Sequence, residues 1–131
     1  MDKATASLVK GSLEKSWEKL RVAERLLQAG DDDDAVSRAY YSAFHAAQAA
    51  LLTEGLTANT HQGLVNLFGL HLVKTGKFPR EFGKFLANLK DNREHSDYEI
   101  YSSIDRETAE QAVKEASAFL AAVEAYVKTL P

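Results

Sequence analysis

The stretch Asp33-Asp34-Ala35-Val36-Ser37-Arg38-Ala39-Tyr40-Tyr41-Ser42-Ala43-Phe44-His45-Ala46-Ala47-Gln48-Ala49-Ala50-Leu51-Leu52-Thr53-Glu54 decides the fold. It contains no proline and no internal glycine, and Gly55 follows it as a stop. Tyr40, Ala43, Phe44, Ala47, Ala50 and Leu51 recur at the i, i+3, i+4, i+7 spacing of a helix packed on neighbours. The alanines along it predict close helix–helix approach, since a methyl group holds two backbones apart less than any larger side chain. The spacing predicts a helix from about Asp33 to Glu54 with one face packed on its neighbours.

Working outward, a preceding helix is predicted over about Ser7 to Ala29, ended by Gly30. Its inner face should carry Leu13, Trp17, Leu20 and Leu27, with Glu24 as an interruption. Asp31 to Asp34 lie at the start of the central helix, where carboxylates accept from free backbone N–H groups and meet the positive end of the dipole, each worth about 0.3–1 kcal/mol. The run lacks the spacing and turn glycine of an EF-hand loop. Asn59 or Thr60 can cap a third helix carrying Leu64, Leu67, Phe68 and Leu72. A turn at Thr75-Gly76-Lys77 leads to Pro79, placed in the first turn of a fourth helix with Phe82, Phe85, Leu86 and Leu89. That helix is expected to fray near Ser96 to Tyr98. Ser103 or Asp105 can cap a fifth, with Glu107 in its first turn and Ala109, Val113, Ala116, Leu120, Val123 and Val127 as its stripe. No period-two run or Asn-Gly hairpin signals a strand. The expectation is an all-α fold, an antiparallel up-and-down four-helix bundle with an additional short helix.

At 131 residues the chain fits one domain, 1–131, and can bury roughly two-thirds of its unfolded surface. The absence of cysteine excludes disulfides, thiolate metal sites and cysteine nucleophiles. A net charge of −3 argues against a general phosphate-backbone binder. Lys74, Lys77, Arg80 and Lys84 cluster in sequence and read as a solvated face. No apolar run is long enough for a bilayer and the N-terminus is polar, so the expected location is cytoplasmic, with no membrane contact.

Two constellations carry chemistry. Arg38, Tyr41, His45 and Gln48 line one side of the central helix, where Arg and His can meet phosphate and Tyr can stack or hydrogen-bond. The alternative is that Tyr41 and His45 are half-buried packing residues. In Asn92-Arg93-Glu94-His95-Ser96-Asp97-Tyr98, Arg93 and Asp97 are four apart and can form an ion pair worth a few tenths of a kcal/mol if exposed. The functional alternative is a pocket in which Arg93 binds phosphate and Asp97 or Tyr98 positions it. His45, His61, His71 and His95 have no zinc-site spacing, and His61 is placed to help close a loop. No P-loop, dinucleotide fingerprint or nucleophile elbow occurs. Neither metal nor cofactor is expected. Ala118, Ala121, Ala122 and Ala125 form a small-residue face on the fifth helix, either a helix-docking surface or an ordinary exposed face.

Ser37 to Ala47, Thr60-His61-Gln62-Gly63-Leu64, Phe68 through Val73-Lys74-Thr75-Gly76, and Arg93 to Tyr98 together resemble the prokaryotic HEPN family, specifically its small stand-alone group labelled UPF0332. The likeness spans about Ser7 to the C-terminus in helix layout. It implies a four-helix bundle with an added short helix, a homodimer, and pairing with a small nucleotidyltransferase in a toxin–antitoxin-type system. Many HEPN members are metal-independent ribonucleases whose catalytic Arg is followed, across a gap of four to six residues, by a His. Such a pair stabilises the charged phosphorane and moves protons. After Arg93 that gap reaches Tyr98, Glu99 and Ile100, none of them histidine, and His95 comes too early. With the resemblance, the leading expectation is a non-catalytic or weakly catalytic module binding nucleotide, RNA or a nucleotidyltransferase, with Arg38, Tyr41, His45, Arg93, Asp97 and Tyr98 as its polar residues. The alternatives are an RNase toxin using Arg93 as catalytic residue with a non-motif partner, or a structural dimerising bundle.

Overall fold

A computed structural model describes residues 1–98 and 104–131, the side chain of Tyr98 excepted. The expectations for Ser103 as a cap and for the Tyr98 side chain at the site lie outside the described residues. Four long helices, α1 (Lys3–Gln28), α2 (Asp32–Leu52), α4 (Arg80–Tyr98) and α5 (Arg106–Lys128), form an antiparallel bundle. The short α3 (His61–Phe68) runs into a π-helical turn, Gly69–Val73. Among the described residues there is no strand.

α2 lies at the centre and packs against every other element. Ala35, Val36, Ala39, Tyr40, Ala43, Ala46, Ala47, Ala49, Ala50 and Leu51 are all fully buried. A helix buried nearly all round must be apolar nearly all round, and alanine keeps its diameter small enough for four neighbours. Contact is densest along α1. There Ser16 Oγ donates to the backbone oxygen of Ser42 at 2.6 Å and lies 3.2 Å from Ser42 Oγ. The two buried hydroxyls thus satisfy each other where larger side chains would separate the helices.

The inner face of α1 differs from expectation. Val9, Ser16, Leu20 and Ala23 are buried, Leu13 and Leu27 pack at the margin, and Glu24 is exposed. Trp17 is 49% exposed, its indole N–H donating to Glu124 of α5 at 2.9 Å. Periodicity assigns the seam to the largest apolar residue, whereas the close α1–α2 approach selects Ser16 beside it.

Gly30 at φ 83° ends α1 and Gly55 at φ 72° ends the α2 region, both in left-handed backbone that favours glycine. Asp31 occupies the N-cap of α2 but makes no side-chain cap hydrogen bond. The acidic run works instead through Asp32, Asp33 and Asp34 in the first turn and through an Asp32–Arg106 ion pair at 2.9 Å. Thr60 caps α3 by accepting from Gly63 N at 2.8 Å, and Asp105 caps α5 by accepting from Thr108 N at 2.8 Å. The third helix is not regular through Leu72: in the π turn Lys74 N reaches back five residues to Gly69 O at 2.9 Å. This wider turn keeps Leu72 buried with Leu64 and Phe68.

α4 does not fray at Ser96. It continues through Tyr98, with Ser96 Oγ donating to the Asp33 backbone oxygen at 3.0 Å and tying its last turn to the start of α2. Lys74, Lys77, Arg80 and Lys84 are all exposed, as are Ala118, Ala121 and Ala125. No helix among the described residues is long and apolar enough to cross a membrane.

Ser16→Leu should overpack the α1–α2 seam and lower unfolding stability by about 1–3 kcal/mol. A reduced urea midpoint would register this. An unchanged midpoint would mean that the seam has room to spare.

Candidate functional site

Arg93 is the one buried cation among the described residues, 8% exposed, on the side of α4 that meets α2. Its guanidinium carbon lies 5.3 Å from the Tyr40 ring centroid and 5.6 Å from that of Tyr41. Nη1 donates to Tyr41 Oη at 3.3 Å and to Asp97 Oδ2 at 3.2 Å. Two aromatic faces can each hold such a cation by about 0.5–2 kcal/mol. Consecutive tyrosines reach one cation because Tyr40 is fully buried and Tyr41, a hundred degrees around the helix, is half-buried.

The wall behind these rings is His61, the first residue of α3. Tyr40 Oη lies 2.5 Å from His61 Nδ1, and the His61 ring packs 5.1 Å from Phe44 and 6.0 Å from Tyr41 between centroids. The Thr60 cap fixes where α3 begins and so where this imidazole stands. Burial holds the His61 imidazole below its ordinary range, and the nearby positive charges of Arg93 and Lys90 push it the same way. Burial pushes the Tyr40 hydroxyl far above the usual phenol range, against the pull of Arg93. Lys90, at 2.6 Å from Glu94, lowers that carboxyl through their hydrogen bond. The arrangement is a preorganised guanidinium beside a largely neutral imidazole, roofed by aromatic rings.

Tyr41, Arg93 and Asp97 thus meet at one place, and Asp97 remains 34% exposed there. Arg38 stands exposed on α2, with no polar or ring contact linking it to Arg93 among the described residues. His45 is half-buried toward α1: it lies 3.2 Å from Gln48 Oε1, and the charges acting on it are Lys15, Lys19 and Glu18. Burial is the main cause of its lowered pKa. Phe44 touches both Tyr41 and His45 but leaves them on different sides. The stripe Arg38–Tyr41–His45–Gln48 therefore splits between two faces. His61 is a member of the site that the sequence pattern does not assign to it. Its available signal was the capping Thr60 immediately before it, which sets the imidazole at a helix start.

The lowered His61 pKa has a stability consequence. As pH falls through the ordinary value near 6.5, the unfolded chain takes up this proton before the folded one, so stability declines until the lowered folded value is passed. Arg93→Gln removes one of the repelling charges, and the His61 midpoint followed by NMR should move upward. An unmoved midpoint would mean that Arg93 does not act on this imidazole.

The sequence pattern of the HEPN domain family matches residues 9–126. A Pyrococcus horikoshii protein named "UPF0332 protein PH1297" is 42% identical over 76 residues, 58% of this chain. The chain spans 54% of that relative's length. The Methanocaldococcus jannaschii protein named "Putative toxin MJ0605" is 31% identical over 122 residues, covering 93% of this chain and 90% of its own. The crystal structure of TT1696 from Thermus thermophilus superposes with a TM-score of 0.77 at 24% identity, over 90% of this chain and 97% of that one, a likeness of fold. With the family pattern running from α1 into the last turns of α5 and the bundle shared by a solved protein, the chain belongs to the HEPN domain family.

Proposed function

We propose that this chain is an HEPN-type module that binds a phosphate of RNA or of a nucleotide at Arg93, within a toxin–antitoxin-type pair. The observation carrying this reading is the buried Arg93 guanidinium, gripped by Tyr40 and Tyr41 and paired with Asp97 at 3.2 Å. A guanidinium presents paired donors that match phosphate oxygens, and its rings and partners fix it before the ligand arrives. Asp97, one-third exposed, sits as a carboxylate stand-in that phosphate can displace. The half-buried Tyr41 gives a face on which an unstacked base can lie. Arg38, exposed on α2, and His45, turned toward α1, stand apart from the proposed site, and Tyr98 continues the helix beyond Asp97. One guanidinium on an acidic chain suits a small ligand or a short single strand better than a long duplex. The name of the relative "Putative toxin MJ0605" supports the paired system. The proposed partners are a second copy of this chain and a small nucleotidyltransferase.

Arg93→Ala should weaken binding of a labelled oligoribonucleotide, read by fluorescence anisotropy, by about tenfold or more, the weight of a lost hydrogen bond to a charged group. Asp97→Asn should tighten it. Equal affinities in wild type and Arg93→Ala, with a lower melting temperature for the variant, would reduce the arginine to a structural role.

A second reading is favoured by His61. Both Arg93 and His61 touch Tyr40, so an imidazole stands beside the guanidinium although the sequence motif lacks its histidine. With Nδ1 engaged by Tyr40, Nε2 would take the proton from a ribose 2′-hydroxyl while Arg93 met the phosphorane charge. Cleavage of RNA in EDTA, abolished by either His61→Ala or Arg93→Ala, supports this metal-independent ribonuclease. Intact RNA with tight binding leaves the binding module.

A further inference from the structure

A second polar concavity lies between α4 and α5. Asn88, Asp91 and Asn92 line it from α4, and Glu107, Thr108, Gln111 and Glu115 from α5, around a volume of about 470 Å³. Glu115 is 7% exposed, the one buried carboxylate among the described residues. It lies on the bundle-facing side of α5, flanked in sequence by buried Val113 and Ala116. Among the described residues no hydrogen bond or ion pair engages it, while the smaller buried hydroxyls of Ser16 and Ser42 are bonded to each other. Its carboxylate opens onto the groove. With its stem buried and its oxygens at the groove, this carboxylate is partly desolvated, a cost that a counter-charge in the groove would offset. Burial alone raises its pKa, since desolvation disfavours the charged form.

We propose that this groove is a binding site for an organic cation, an alkylammonium or guanidinium group, with Glu115 as its buried counter-charge. The other lining groups suit such a guest. Asp91 and Glu107 add negative charge at the mouth, and the amide oxygens of Asn88, Asn92 and Gln111 with the Thr108 hydroxyl offer acceptors to a cation with several N–H donors. A bare metal ion fits less well. Among the described residues no three His, Asp or Glu side chains gather closely enough to hold one. The groove uses other residues than the Arg93 site and favours the opposite charge, so its occupant is not the phosphate ligand. Free polyamines and the lysine side chain of a partner protein share this chemistry.

The test is an NMR titration of the ¹⁵N-labelled full chain, following the side-chain amides of Asn88, Asn92 and Gln111. The probes are spermidine, Nα-acetyl-lysine methylamide and Mg²⁺. Saturable shifts with an organic cation, weakened about tenfold by Glu115→Gln, are expected, equivalent to ~1.4 kcal/mol. Tighter binding of spermidine assigns the site to free polyamines, and tighter binding of the capped lysine assigns it to a protein side chain. Asn88→Ala changes an exposed residue outside the core and should weaken the same shifts several-fold if Glu115→Gln fails to fold. The proposal is overturned by no saturable shift with either amine, by equal shifts from Mg²⁺, or by unchanged affinity in folded Glu115→Gln.

Discussion

The close contact of α1 with α2 is the constraint from which the rest of the molecule follows. A helix surrounded on all sides can be reached by four neighbours only if its own side chains are short, and α2 meets that condition with eight buried residues that are alanine or serine. The few large residues it retains are then specified by position. Tyr40 and Leu51 fill core volume, and Tyr41 and Phe44 stand at the edge facing α3 and α4. The aromatic wall of the candidate site is therefore a by-product of where the slender helix is allowed to widen.

That wall explains how an arginine can lie inside a small bundle. Desolvating a guanidinium is unfavourable, and Tyr40, Tyr41 and Asp97 offset the cost by ring faces, a hydroxyl and a carboxylate. α3 contributes through one residue, His61, which meets Tyr40 on the far side of the same rings. The imidazole and the guanidinium are coupled through a shared tyrosine and through charge, although they lie on separate helices joined by a loop and a π turn.

The fold was largely legible in the sequence because α5 carries clear helical periodicity, because α2 is an alanine-rich run unbroken by proline or glycine, and because Gly30, Gly55, Thr60 and Pro79 mark boundaries through backbone chemistry. Local chemistry also foretold the Arg93–Asp97 pair, four residues apart on one helix. What periodicity could not supply was the choice between residues close in angle. Trp17 and Ser16 differ by one position, and only the partner surface decides which is buried. The same limit split Tyr41 from His45, since a stripe on one helix does not say where two neighbouring helices divide it. His61 was hidden for another reason: its contact with Tyr40 spans 21 residues and has no local signature.

Trp17 holds the chain's single indole, half in solvent, with its N–H bonded to Glu124 across the gap between the first and last helices. An indole in that setting is a built-in optical gauge. Its emission colour and quenching respond when α1 parts from α5 or when another surface covers the pair, so assembly and opening of the bundle can both be watched in the unlabelled protein.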